Sequence, residues 1–185
     1  MGVAASSSSS KKYEVFLSFR GEDAGRSFTS HLYTALCEKG IETFVGYELP
    51  KGDDISKSLI QAIEDSSMYL IVFSENYASS KRCLNELIEI LRCNKEKRRC
   101  VVPIFYQVDP SEVRHQSGAY GEAFAQHLNI NPEKVDEWRK ALSETASLVG
   151  WHSRNYRDES ELIQNIVSHI IELLKHWSSS ALAKN

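Results

Sequence analysis

An α/β fold, built on one parallel sheet with helices on both faces, is predicted by three features of the sequence. Short runs of aromatic and β-branched residues, too apolar to face water on either side, recur along the chain. Between them lie segments whose apolar residues repeat at intervals of three and four, the spacing of an amphipathic helix. The two patterns alternate, and strands that alternate with helices of this length form right-handed βαβ crossovers.

The elements follow in order. "YEVFLSF" (13–19) reads as a strand buried on both faces and runs into the glycine-containing turn "RGED". Phe28, Leu32, Ala35 and Leu36 mark a helix that Gly40 stops, and "IETFV" (41–45) gives a second strand. After the loop "GYELPKG", broken by Pro50 and Gly52, Ile55, Leu59, Ile60 and Ile63 mark another helix. "MYLIVFS" (68–74) is a third strand, followed by a helix in "SSKRCLNELIEIL" (79–91), where Leu84, Leu87, Ile88 and Leu91 share one arc. In the fourth strand, "CVVPIFYQV" (100–108), Pro103 has no N–H to give a ladder and suggests an edge or a bulge.

The loop "DPSEVRHQSG" leads to helical stretches around "YGEAFAQHL" and "VDEWRKALSETASLV", and "GWHS" forms a brief fifth strand. The last helix carries Ile163, Ile166, Val167, Ile170, Ile171, Leu174 and Trp177 on one stripe. Five strands suit the flavodoxin-like order 2-1-3-4-5, whose ligand crevice lies beyond the carboxyl ends of the strands where the order reverses. The turns "RGED" and "SENYASSKRC" then face each other, with Glu86 at the mouth of the second.

Composition limits the functions available. With 185 residues, 42% hydrophobic and 25% charged, the chain suits one soluble domain with a sizeable core, placed at 13–177. A net charge of -3 supplies no basic field for nucleic acid or an anionic membrane, and "NKEKRR" (94–99) reads as a solvated helix end. Cys37, Cys83, Cys93 and Cys100 form no C-x-x-C pair and no secretory signal opens the chain, so a cytoplasmic or nuclear setting is expected. The histidines do not repeat at a zinc spacing, and no metal is expected. Residues 1–12 are expected to be a disordered serine-rich leader, although Gly2 and Ser6 also fit the N-myristoylation pattern. Residues 178–185 read as a linker, and their abrupt "ALAKN" close suggests a piece of a larger protein.

Helix geometry alone makes Glu86 an ordinary residue at the border of the polar face, favoured by the positive dipole at the helix start. Several chemistries are excluded. There is neither a G-x-x-x-x-G-K-[ST] loop nor a G-x-G-x-x-G turn after a strand, and no G-x-S-x-G elbow. A phosphoacceptor receiver needs an Asp at the end of the third strand, where this chain has "VFSEN".

Four segments, "YEVFLSFRGED", "LIVFSENYASSKRCLNEL", "VVPIFYQVDPSEVRHQSGAYGEAF" and "LVGWH", together resemble the TIR domain that opens many plant disease-resistance receptors of the nucleotide-binding, leucine-rich-repeat class. The resemblance runs from about Tyr13 to Trp177. It implies self-association with its own kind or with other TIR-containing immune receptors. It also implies cleavage of the nicotinamide glycosidic bond of NAD⁺ or NADP⁺, bound as substrate and not as a resident cofactor, to ADP-ribose or its cyclic form. That activity signals immune defence and cell death.

Matched to the family's motifs, the catalytic glutamate falls on Glu86, with Phe19, Arg20, Gly21 and Ser80 lining the substrate pocket. Gly21 would let backbone approach the substrate and Arg20 would meet its phosphates, unless Arg20 pairs with Glu22 or Asp23 instead. Ser30 and His31 fall on one family self-association surface and Gly118 and Gly121 on another, where the glycines read equally well as turn residues. Five residues in three places depart from the family pattern: Arg82 replaces a Trp, Gly46 and Tyr47 replace two acidic residues, and Ala24 and Gly25 replace a Thr-Arg pair. With them comes the alternative of a catalytically weak or inactive scaffold that acts through TIR–TIR association alone.

Overall fold

The computed structural model describes residues 12–21, 26–46 and 55–182, with side chains as far as 178. Residues 1–11 of the leader, Glu22, Asp23, Ala24, Gly25 and Tyr47 lie outside the described residues. Strands β1 (Tyr13–Ser18), β2 (Thr43–Val45), β3 (Ser66–Phe73), β4 (Cys100–Phe105) and β5 (Trp151–His152) form one sheet in the order β2-β1-β3-β4-β5. Every pairing is parallel, with Phe16 opposite both Phe44 and Tyr69 and Ile71 opposite Pro103.

Seven helices connect the strands among the described residues: α1 (Arg26–Glu38), α2 (Lys57–Glu64), α3 (Lys81–Lys97), α4 (Pro110–His115), α5 (Gly118–Ile130), α6 (Pro132–Ala146) and α7 (Glu159–Leu182). Alternation along the strands sorts the core into two layers. Phe16, Tyr69, Ile71 and Phe73 face α2, α3, α5 and α6, whereas Val15, Leu17, Met68, Leu70 and Val72 face α1 and α7. β3 is thus covered on both sides, which explains its unbroken apolar run.

Local chemistry sets the ends of the elements. Gly40 follows α1 at φ +74°, a left-handed turn residue that costs glycine no Cβ clash. Ser56 caps α2 by accepting from the Leu59 N–H at 3.2 Å. Gly150, leading into β5, lies so close to β4 that a Cβ there would stand 2.1 Å from the Pro103 carbonyl oxygen.

Four expectations are corrected. Pro103 sits in the middle of β4, which is neither an edge strand nor bulged; β5 pairs only with Ile104 and Phe105, so the sheet asks nothing of Pro103 on that side. The "DPSEVRHQSG" stretch contains α4, capped by Asp109 with Pro110 at its first position and closed by Gln116 at φ 50°. Arg99, expected on a solvated helix end, is buried; it donates to the Glu64 and Ile63 carbonyls and to the Tyr69 hydroxyl. α7 continues to Leu182, into the segment expected to be a linker.

Candidate active site

The site begins with the parity of β1. Ser18 is its last residue and shares a face with Phe16, so its hydroxyl points towards α3 instead of α1 and α7. There it lies 3.0 Å from the Tyr77 hydroxyl, in the single 3₁₀ turn Tyr77–Ser79 that follows β3. The Tyr77 hydroxyl in turn donates to the Cys83 carbonyl at 3.2 Å. Ser18 also hydrogen-bonds Glu86, one turn further along α3.

Glu86 is buried, with 4% of its surface exposed. Helix periodicity placed it on a border, but a helical wheel takes no account of what covers the helix. Here Ser18, Tyr77 and the end of β2 close over it. Burial pushes the carboxyl up to about 7, against the opposing pull of the Ser18 hydroxyl and the Arg82 charge. The direction of the hydroxyl chain follows the protonation state. With Glu86 ionised, Ser18 donates to it and the single Tyr77 proton serves either Ser18 or the Cys83 carbonyl; with Glu86 protonated, Glu86 donates to Ser18, Ser18 to Tyr77 and Tyr77 to the Cys83 carbonyl.

Arg82 lies one helical turn before Glu86 and donates through Nη2 to the carbonyl oxygen of Gly46, which follows β2. The position a Cβ would take on Gly46 is 3.6 Å from Arg82 Nη2 and 3.8 Å from Glu86 Oε2, so the end of β2 lies in contact range of both groups. Cys83 contributes no second reactive group. Its thiol points at the Phe19 carbonyl oxygen, 3.8 Å away, and burial pushes it up to about 12.

The other expected site residues are distributed as follows. Arg20 reaches across the crevice and donates to the Asn76 carbonyl at 2.8 Å, so the turns after β1 and β3 do face each other. Ser80 caps α3 by accepting from the Cys83 N–H at 3.2 Å. Phe19 packs against the α1 and α7 core and its carbonyl oxygen meets the Cys83 thiol, while Gly21 is half-buried at the end of the described turn.

Ser30 and His31 are exposed on α1. His31 lines a groove of about 710 Å³ between α1 and α7, with Glu38, Lys39, Glu159, Gln164 and Ser168. Gly118 has φ +58° and Gly121 lies against the Gln116 carbonyl oxygen, 2.9 Å from where its Cβ would be, so local backbone geometry requires both glycines. The sequence reading missed Ser18 and Tyr77. The signal was there for Ser18, a hydroxyl at an inward position directly after the apolar run Val15, Phe16 and Leu17.

A parallel sheet of order 2-1-3-4-5, with a buried carboxylate on the helix that follows its third strand, defines the class, and the TIR domain profile matches residues 12–185. The chain belongs to the TIR domain family. It is 50% identical over 163 residues to the disease resistance protein RPV1 of Vitis rotundifolia, an alignment covering 88% of this chain and 12% of that protein. To the TMV resistance protein N of Nicotiana glutinosa it is 45% identical over 185 residues, covering 97% of this chain and 16% of the relative. The chain therefore spans a small part of these plant resistance proteins.

Among solved structures, the TIR domains of the activated Roq1 resistosome, which directly recognises the pathogen effector XopQ, match with a TM-score of 0.79 and 47% identity. That match covers 85% of this chain and 99% of the other. The RPS4 and RRS1 TIR domain heterodimer shares the fold, with a TM-score of 0.51 and 23% identity over 86% of this chain and 96% of that one.

Proposed function

We propose that this chain is a TIR domain that hydrolyses NAD⁺ when self-associated, and that it acts in plant immune signalling in the cytoplasm. The observation that carries the proposal is Glu86, a carboxylate buried at the carboxyl end of the sheet, with a hydroxyl on one side and a guanidinium on the other. A group that titrates near 7 is suited to take a proton at neutral pH.

In the reaction the C1′–N bond of the nicotinamide riboside breaks and its electron pair goes to the ring nitrogen. The leaving group departs neutral, so no acid has to protonate it. Ionised Glu86 stabilises the positive charge that develops on the ribose, and it takes the proton released as a water oxygen bonds to C1′. An adenine nitrogen of the same molecule attacking C1′ instead of water gives the cyclic product.

Self-association is supported by the TIR assemblies of the Roq1 resistosome and the RPS4 and RRS1 heterodimer, and His31 at the α1–α7 groove is the residue proposed to take part. One observation favours a second reading, a scaffold that associates but does not turn over substrate: Arg82 sets a fixed positive charge beside the carboxylate. NAD⁺ consumption measured across protein concentration decides between them. A hydrolase activated by association gives a rate that rises faster than concentration and is lost in Glu86→Ala. Consumption that continues unchanged in that variant would refute the catalytic role. Arg82→Trp separates a weakened enzyme, which gains turnover, from a scaffold, which stays inert.

A further inference from the structure

Two helices that supply no group to the carboxylate site, α5 and α6, hold the chain on either side of the start of α3. From α5, the Tyr120 hydroxyl donates to the Ser74 carbonyl at 2.7 Å, and His127 Nε2 lies 2.7 Å from the Ala78 carbonyl oxygen. A carbonyl only accepts, so Nε2 carries the proton. These two carbonyls bracket Tyr77 in the turn after β3. From α6, the Trp138 indole N–H donates to Asn85 Oδ1 at 3.0 Å, and Asn85 is the residue before Glu86. The His127 and Trp138 rings meet edge to face with centroids 5.0 Å apart, and Phe124 stands against His127 at 5.7 Å.

Both rings are inside the protein, His127 with 5% and Trp138 with 1% of its surface exposed. An aliphatic residue would fill either place without desolvating a polar atom, so the nitrogens of these rings are accounted for by the groups they hold.

We propose that His127 and Trp138 are positioning residues for Glu86: their rings, packed against one another, tie Ala78 before α3 and Asn85 within it to α5 and α6, and so fix the rotation of α3 that carries the Glu86 carboxylate to the end of β2. The inference rests on Glu86 being the group that acts on a nicotinamide riboside. Successive residues of a helix point about 100° apart, so a bond made by Asn85 sets the direction of Glu86. A side-chain tip stands roughly 5 to 6 Å from the helix axis, and a rotation of about 10° therefore moves it about 1 Å. The Glu86 Oε2 atom is 3.8 Å from the place of a Gly46 Cβ, close enough for such a shift to change what it touches. A misplacement of about 1 Å in a catalytic group costs on the order of a hundredfold in rate. Ser80 and Tyr77 hold the first turn of α3 at Cys83, whereas the Trp138 bond fixes the helix next to the carboxylate itself. The hydrogen bonds of His127 and Trp138 go to Ala78 and Asn85, so their effect on Glu86 passes through the helix.

The test uses the whole chain. Asn85→Leu removes the acceptor of the indole at nearly constant volume, with Asn85→Ala in reserve should the leucine fold poorly. His127→Phe keeps a ring and loses the donor, and His127→Gln returns an N–H to the place of Nε2. Ile166→Ala, which hollows the opposite core layer, is the control for destabilisation alone. Each protein is followed by the ¹³C resonance of the Glu86 carboxyl against pH, and by kcat and KM for NAD⁺. Asn85→Leu and His127→Phe are expected to lower kcat roughly tenfold to a hundredfold with KM within about twofold. Their Glu86 midpoint falls from about 7 towards the usual carboxylate range, because the carboxyl leaves the place that buries it. His127→Gln stays close to the wild type in both readouts. Ile166→Ala melts at a lower temperature and changes neither.

The carboxyl titration needs no substrate, so the two proposals fail separately. A midpoint that falls in Asn85→Leu and His127→Phe, in a chain whose wild type consumes no NAD⁺, upholds the positioning of the carboxylate and refutes the hydrolase. Where NAD⁺ is consumed, a change in one readout without the other, or in neither, overturns the positioning role. Equal changes in Ile166→Ala overturn it as well, since the two rings would then be serving stability alone.

Discussion

Replacing Glu86 by Gln keeps the shape of the protonated side chain and removes its charge, so it isolates the energetic consequence of burying a carboxylate. The carboxyl is displaced from 4.5 to about 7 by burial, a difference of roughly 3 kcal/mol between its protonation states in the fold. With 4% of the residue exposed, solvent screening takes little from that figure. The sign follows from proton counting. Between pH 4.5 and about 7 the folded protein keeps a proton that the unfolded chain has released, so stability falls as pH rises through this window and stays lowered above it.

Glutamine carries no such penalty, so the two proteins should be equally stable near pH 4.5, and the variant should be about 3 kcal/mol more stable at pH 8. For a domain of this size that is about 6 to 12 °C in melting temperature. Thermal melts of both proteins at pH 5 and pH 8 measure it directly, because every other titrating group is common to the two. A gap that stays constant with pH, or a variant less stable at pH 8, would refute the claim that Glu86 is held protonated by burial.

The remaining predictions concern the groups around that carboxylate and the sheet that carries it. Ser18→Ala removes a hydrogen bond that favours the ionised form, so the pH midpoint of NAD⁺ consumption should move upward from about 7; an unmoved midpoint would separate Ser18 from the site. Ser80→Ala should cost about 1 kcal/mol in urea denaturation as the α3 cap is lost. A normal stability with a raised KM would instead make Ser80 a substrate ligand. Gly150→Ala should leave little folded protein by circular dichroism, because its methyl would meet the Pro103 carbonyl oxygen at 2.1 Å and only a shift of β5 relieves it.

The strands and most helices were legible in the sequence, because apolar runs and helical spacing are local signals, and the strand order followed from the arrangement that five such units suit. The depth of Glu86 was not, since it depends on Ser18, Tyr77 and Gly46, three residues that meet only when β1, β2 and α3 have packed. Arg99 is a similar case. Its burial depends on carbonyls at the end of α2 and a hydroxyl on β3, well separated in sequence from the basic run it belongs to. The short helix α4 was legible and passed over, because Asp-Pro-Ser-Glu is a helix start whose Pro also reads as loop punctuation.

Leu17 and Ser18 are neighbours in the chain but belong to opposite halves of the molecule. Leu17 is packed into the layer formed with α1 and α7, and Ser18 is bonded to Tyr77 and Glu86 beyond the sheet. The surface proposed for assembly and the carboxylate proposed for chemistry are thus separated by the thickness of one strand. Two adjacent residues of β1 serve two layers, one packed against α1 and α7 and the next hydrogen-bonded beside the glutamate.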